Sequence, residues 1–479
     1  MGFLHIGNYI CTWNCSYEVK SSKITPTITS LELSKIQTFP CGIHGSDITP
    51  LILSAEVVND DIMRVTVRDP GSLRFEVPKE IVPGPSRRII SNPALKFVWT
   101  ERPFTFAIVR TSTGESIFNT SNERSDPIVF EDQYISISTT LPNGHRVYGI
   151  GEREGPLKVE PGRDVVMWNA DPWSSAGVSC EEGINLYGDH PFFIELRGQG
   201  SSTSSHGVFW SNSNAKRFSA SKEGDSLETK SIGGIVDLWF FQGPNPEKVV
   251  QQLTEVVGRP SLPPYWALGY HQCGLGQSNK AMLNEIMEKF DTLNLTCDVI
   301  WSDIDSMHNN RDFTFDPILF PESYANKFLV GLTSREMHWI PILGHCIVID
   351  ESHEPYSLGI ELNVFAKDPE TGKPLKSELW PRKCHMVDFS HPNATKYWTI
   401  LLKKYYSIAP FSGIWIDMNG LFDFPHFCVI LAIFKTHAKK NFNRAVEHLQ
   451  WILRKWSCSF RQIQYSAMES SHAQGLEAF

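Results

Sequence analysis

Phe411-Ser412-Gly413-Ile414-Trp415-Ile416-Asp417-Met418-Asn419-Gly420 is the stretch on which the fold turns. Its apolar run, Ile414-Trp415-Ile416, stops abruptly at an acid, Asp417. A short, nearly all-apolar run bounded by turn residues reads as a strand buried on both faces, the kind that builds parallel sheets. An unpaired carboxylate is too costly to desolvate inside such a strand, but it is tolerated where the strand ends in a wet mouth. The carboxyl end of an α/β-barrel strand is such a place, and catalytic groups are displayed there. Spacing alone leaves a second reading open, an Asp capping a following helix.

The surrounding sequence has the matching texture from about Pro260 onward. An apolar strand is expected over 266–271. A helix over 279–294 carries Met282, Ile286 and Phe290 on one face. A strand over 297–301 ends in Ser302-Asp303-Ile304-Asp305, two more carboxylates at a strand end. A helix over 324–335, a strand over 338–343, a polar excursion to about 392 and a helix over 394–408 lead back to the strand 413–417. Tyr397, Ile400, Leu401 and Tyr405 share a face of that last helix. Four strand–helix alternations imply βαβ units and a parallel sheet.

Upstream the chain reads as β structure throughout. Alternating or strand-like runs fall at 62–68, 104–110, 116–118, 133–139, 185–196, 207–211 and 234–241, with turn residues between them. Many short strands with no long helical period suggest a β-sandwich. The 479 residues have room for two to four domains. A net charge of −9 argues against a nucleic-acid partner. The 10 cysteines are scattered, which reads as small buried apolar residues, not a disulfide framework or a zinc site. No run reaches the roughly 18 apolar residues of a membrane span, the longest being 427–434. The N-terminus lacks the basic start and apolar core of a signal peptide. Asn-x-Ser/Thr sites at Asn14, Asn119, Asn294 and Asn393 hint at secretion.

Gly413-Ile414-Trp415-Ile416-Asp417-Met418-Asn419 resembles the nucleophile signature of glycoside hydrolase family 31, the acid α-glucosidase and maltase-glucoamylase type. The resemblance extends to Arg110–Phe118, Leu141-Pro142, Tyr148-Gly149-Ile150-Gly151-Glu152, Asn185-Leu186-Tyr187-Gly188, Trp168-Asn169-Ala170-Asp171, Arg311-Asp312-Phe313-Thr314 and Leu379-Trp380-Pro381. It implies an α+β multidomain chain: a galactose-mutarotase-like N-terminal β-sandwich, then the first half of a (β/α)8 barrel. It further implies that Asp417 is the catalytic nucleophile and that Asp171, Asp303, Ile304, Ile347, Trp380, Trp415 and Met418 form the substrate pocket. The implied activity is release of terminal α-linked glucose from oligosaccharides with retention, without metal or organic cofactor. The implied compartment is the secretory pathway or lysosome. Taken one at a time, the apolar members of this set read first as core packing, and it is their shared order along the chain that raises the functional reading.

The pattern has departures. Gly420 and Leu421 replace the Glu-Pro that follows the family's Asn, although Phe424 fits. Gly274-Leu275 replace its Arg-Trp, Gly344-His345 its Asp-Pro, and Arg382 the Gly of its Trp-Pro-Gly. A barrel of this type takes about 250 residues and eight strands, yet only 62 residues follow Asp417. No Arg-x-x-Phe-x-Gly or His-Trp-x-Gly-Asp pattern follows Phe424, so the acid/base residue is expected to be absent and the chain truncated just after the nucleophile motif. Residues 425–479 carry seven Lys/Arg against three Glu, with Phe442, Val446, Leu449, Leu453 and Trp456 at helical spacing, which reads as an atypical basic tail. The expected organisation is an N-terminal extension 1–50, a sandwich 51–259, a partial barrel 260–424 holding strands one to four, and the tail 425–479. An open half barrel exposes two sheet edges and would favour self-association. The alternative function is a non-catalytic carbohydrate- or partner-binding fragment.

Overall fold

The computed structural model describes residues 16–36, 46–85, 90–122, 127–153, 155–167, 185–368 and 371–417. The chain divides into two units, Met1–Arg259 and Pro260–Phe479. Among the described residues no helix is long and apolar enough to cross a membrane.

The first unit is built on alternation. In the strand Phe104–Arg110 the side chains of Phe104, Phe106 and Ile108 are at most 1% exposed, while Thr105 and Ala107 between them are partly solvated. Successive side chains point to opposite faces, so a strand with one face on the core buries every second residue, a pattern kept here as far as Ile108, after which Val109 and Arg110 are buried as well. An eight-stranded antiparallel sheet runs, in spatial order, Tyr17–Ile24, Ile28–Lys35, Leu51–Asn59, Ile62–Arg68, Val236–Phe241, Ser204–Trp210, Asn185–Arg197 and Arg146–Arg153. A five-stranded sheet and a three-stranded sheet (Leu95–Glu101, Phe104–Arg110 and Ser116–Asn119) share one core with it. Leu53, Val65 and Phe240 of the large sheet meet Phe130, Ile137 and Phe218 of the five-stranded one. This is the expected β-sandwich. It begins earlier than the sequence suggests, because Ile28–Lys35 pairs with Leu51–Asn59 and carries Tyr17–Ile24 on its outer edge. The outer strand buries almost nothing beyond Tyr17, so it has no apolar alternation to betray it.

In the second unit, four short strands pair in parallel in chain order: His271–Gln272, Val299–Ser302, His338–Leu343 and Trp415–Ile416. Between them lie the helices Lys280–Leu293, Glu322–Thr333 and Ala394–Ile408. This is the strand–helix order of half an α/β barrel. Asn279 starts the first helix by accepting a hydrogen bond from the Met282 N–H, and Asn294 ends it in the left-handed conformation. Phe315, Phe320, Trp339 and Tyr405 stack beneath the sheet, and the Trp339 indole donates to Ser302 Oγ at 2.8 Å, which locks two neighbouring strands.

Three expectations shift. The apolar run 266–271 forms a turn of 3-10 helix, Tyr265–Leu268, and only His271–Gln272 joins the sheet. Pro264 opens that turn, and an apolar run without a period does not separate strand from turn. The helix Lys280–Leu293 buries Leu283 and Met287 and leaves Met282 38% exposed, one residue out of the expected phase. The polar excursion is an ordered insertion. Its strands Cys346–Val348, Lys376–Leu379 and Arg382–Met386 make an antiparallel sheet, accompanied by the helix Glu354–Leu362. Cys346 and Cys384 are joined in a disulfide across this sheet, contrary to the reading of the cysteines as isolated apolar residues. Their pairing depends on the register Val348↔Cys384 and Cys346↔Met386, which a separation of 38 residues hides in the sequence. The expected tail, 425–479, lies outside the described residues.

The disulfide closes a 38-residue loop, long enough for cross-linking to constrain the unfolded chain substantially. Cys384→Ser should lower the unfolding free energy by about 2–4 kcal/mol in urea titration of oxidised protein. Equal midpoints for variant and wild type would mean that the two thiols are not bonded in solution.

Candidate functional site

The parallel register puts the carboxyl ends of the strands side by side. Ile342 pairs with Trp415 and Leu343 with Ile416, so Gly344 and Asp417 leave the sheet together. One strand further on, Trp301 pairs with Ile340 and Ser302 with Pro341, which releases Asp303 at the same edge. Val299, Ile300, Ile342 and Leu343 are buried, but Trp415 and Ile416 are only half-buried, so the strand expected to be buried on both faces is covered only in part. The acids follow the last paired residue of each strand, Asp417 half-buried and Asp303 buried.

A small pocket opens at this edge. Three of the residues singled out from sequence meet in it: Asp417, Ile304 and Trp380. Asp417 is half-buried at its strand end. Ile304 enters in the 3-10 turn Ile304–Ser306. Trp380 sits with Pro381 at the tip of the hairpin that joins Lys376–Leu379 to Arg382–Met386. The Asn310 side-chain amide donates to the Trp380 carbonyl at 3.4 Å, tying that tip to the loop after the second strand.

Asp312, which the sequence reading passed over as part of a matching tetrapeptide, lines the same pocket. It is 6% exposed, and its Oδ1 accepts the Gly344 N–H at 2.5 Å. Burial pushes its carboxyl up to about 7; the Gly344 and Asp312 N–H groups oppose this, and the charge of Asp417 adds to it. The neighbouring Arg311 turns to Asp350, 2.9 Å away. Asn309, Asn310 and Phe313 around it all have left-handed backbones, with φ of 53°, 57° and 62°. Such conformations cost energy for residues other than glycine and persist where the surroundings enforce them.

Other sequence-derived residues are placed elsewhere. Asp303 is buried beside the pocket and accepts the Ile304 N–H at 2.6 Å, capping the turn; burial, ahead of the neighbouring Asp305, pushes its carboxyl up. Ile347 is 1% exposed in a core with Val364, Phe365 and Tyr397 and is not among the residues lining this pocket. In a strand adjacent residues face opposite ways, and here Cys346 faces the pocket. Trp415 packs beside Ile342 and Leu343, its ring 5.4 Å from that of Trp301. Asp171 and Met418 lie outside the described residues. Among the described residues no group of three or more His, Cys, Asp or Glu side chains is arranged to hold a metal ion.

Two family profiles match the chain. The "Glycosyl hydrolase 31 N-terminal galactose mutarotase-like domain" matches residues 52–218, and the "Glycosyl hydrolases family 31 TIM-barrel domain" matches residues 260–472, a span that takes in most of the expected tail 425–479. Among curated relatives, alpha-xylosidase 1 of Arabidopsis thaliana is 34% identical over 80% of this chain and 42% of its own length. Glucoamylase 1 of Candida albicans is 35% identical over 80% of this chain and 40% of its own. Lysosomal alpha-glucosidase of Rattus norvegicus is 34% identical over 78% of this chain and 38% of its own. The chain thus spans about two fifths of the length of these relatives. The solved structure of a glucosidase II alpha subunit superposes with a TM-score of 0.71 at 19% identity, covering 86% of this chain and 52% of that one, a likeness of fold.

Arg382 has φ of 71°, the left-handed region, where the family pattern carries glycine. A Cβ in that conformation costs roughly 1–2 kcal/mol, part of which glycine returns through the entropy of its unfolded chain. Arg382→Gly should therefore raise the unfolding free energy by about 0.5–1 kcal/mol. A loss of stability in the same titration would mean that the hairpin depends on the Arg382 side chain.

Proposed function

We infer, from a chain that belongs to glycoside hydrolase family 31, a retaining α-glucosidase pocket in which Asp417 is the nucleophile. The observation that supports this reading is the meeting of Asp417, Ile304 and Trp380 in one pocket at the carboxyl end of parallel strands. Breaking a glycosidic bond makes the anomeric carbon cationic, and a carboxylate on one face of the ring can trap it as a covalent glycosyl ester. A second carboxylic acid, about 5–5.5 Å away in retaining enzymes, protonates the leaving oxygen and then activates water, so the configuration is restored. Asp417 is half-buried, open enough to reach a sugar and enclosed enough for its charge to count. Trp380 offers an aromatic face and Ile304 an apolar edge against the ring. Asp303, beside them, would hold sugar hydroxyls by charge-assisted hydrogen bonds. The substrate on this reading is the non-reducing end of an α-glucosyl oligosaccharide.

Gly274, Leu275 and Gly344 stand where the family pattern has Arg, Trp and Asp, and they favour a second reading, a carbohydrate-binding site without turnover. A mechanism-based α-glucosyl inactivator followed by peptide mass analysis separates the two. Ester formation on Asp417, lost in Asp417→Asn, is the expected outcome. Labelling of a different carboxylate would overturn the assignment, and binding of the reagent without a covalent product would favour the second reading.

A further inference from the structure

Asp312 and Asp417 are two carboxyl groups on the wall of one small pocket, delivered by different elements. Asp417 comes from the end of the fourth parallel strand, and Asp312 from the loop after the second. Two like charges in an enclosed site cannot both be anions without a large electrostatic cost. We propose that Asp312 is a positioning acid of this pocket: a neutral carboxyl that shares a single negative charge with Asp417 and leaves Asp417 as the anion of the pair. The proposal rests on the pocket reading above and adds a residue to it.

The geometry supports this division. Asp312 is the more buried of the two, at 6% exposure against a half-exposed Asp417, so the proton belongs on Asp312. Its Oδ1 is taken by the Gly344 N–H at 2.5 Å, the role of the carbonyl oxygen of a neutral acid, and its Oδ2 is available for the hydroxyl. Gly344 has no side chain to intervene; a Cβ there would stand 3.4 Å from that Oδ2. Among the described residues, the cation next to Asp312 in the chain is engaged elsewhere. Arg311 is paired with Asp350. From the helix Ala394–Ile408, Tyr397 and Tyr405 lie close enough that a negative charge on Asp312 would oppose their ionisation, which burial opposes first. The Tyr397 hydroxyl donates to the Pro355 carbonyl at 2.9 Å. On the strand side, His345 follows Gly344, and Asp303 and Asp305 lie at the next strand end. The left-handed Asn309, Asn310 and Phe313 hold the loop in the form that keeps the carboxyl in the pocket.

One anion in the pocket suits a cationic transition state. A second, unneutralised anion would raise the proton affinity of Asp417 and make it a protonated, unreactive acid in the range where it must attack.

The test is carbon-13 NMR titration of the full chain carrying carboxyl-labelled aspartate, as wild type, Asp312→Asn and Asp417→Asn. Asparagine at 312 keeps an oxygen for the Gly344 N–H. The expected result is one carboxyl resonance that titrates far above the other aspartates, is absent from Asp312→Asn, and moves down by about one pH unit or more in Asp417→Asn. The proposal is overturned if every aspartate titrates in the ordinary carboxylate range, if the high-titrating resonance survives in Asp312→Asn, or if it is unmoved in Asp417→Asn. These resonances are read without ligand or turnover, so failure of the nucleophile assignment shows only in the labelling experiment.

Discussion

The ladder between His338–Leu343 and Trp415–Ile416 is two residues long, and the candidate site depends on it. Parallel pairing of Ile342 with Trp415 and of Leu343 with Ile416 brings two strand ends 73 residues apart in sequence to one point. Asp417 has its position only because Ile416 is held against Leu343. A single slip in that register would turn Trp415 and Ile416 onto opposite faces and move the acid along the sheet edge. The packing that prevents a slip is aromatic: Trp415 lies against Trp301, and Trp339 is hydrogen-bonded to Ser302 below them.

Around this fixed edge the pocket is walled by the insertion between the third strand and the helix Ala394–Ile408. The hairpin that displays Trp380 is pinned at its base by the Cys346–Cys384 bond and at its tip by Asn310. Cys346 itself faces the pocket, so the covalent anchor and the wall are the same element. The loop with three left-handed residues supplies Asp312 from the opposite side. Four left-handed residues other than glycine, Asn309, Asn310, Phe313 and Arg382, lie in the segments that wall the pocket.

Much of this was legible in the sequence. Alternation located the sandwich strands because each buries one face, as Phe104, Phe106 and Ile108 show. The apolar-run-then-acid pattern located Asp417 and Asp303, since burial forbids an unpaired carboxylate within the strand. Features set by long-range register were hidden. Cys346 and Cys384 meet only through an antiparallel pairing, and Ile347 loses its expected place to Cys346 because the strand faces the pocket in the other phase. Asp312 stood only within a matching tetrapeptide, because its burial depends on partners distant in sequence, such as Gly344 after the third strand. The edge strand Tyr17–Ile24 was illegible for the opposite reason, as it buries too little to need a pattern.

The central claim is that the Asp417 pocket receives a sugar. A crystal structure of the full chain soaked with a basic iminosugar analogue of glucose tests it most directly. The account predicts the ring between Trp380 and Ile304 with its ammonium on the Asp417 carboxylate. An iminosugar bound elsewhere, or an empty pocket at saturating ligand, would contradict it.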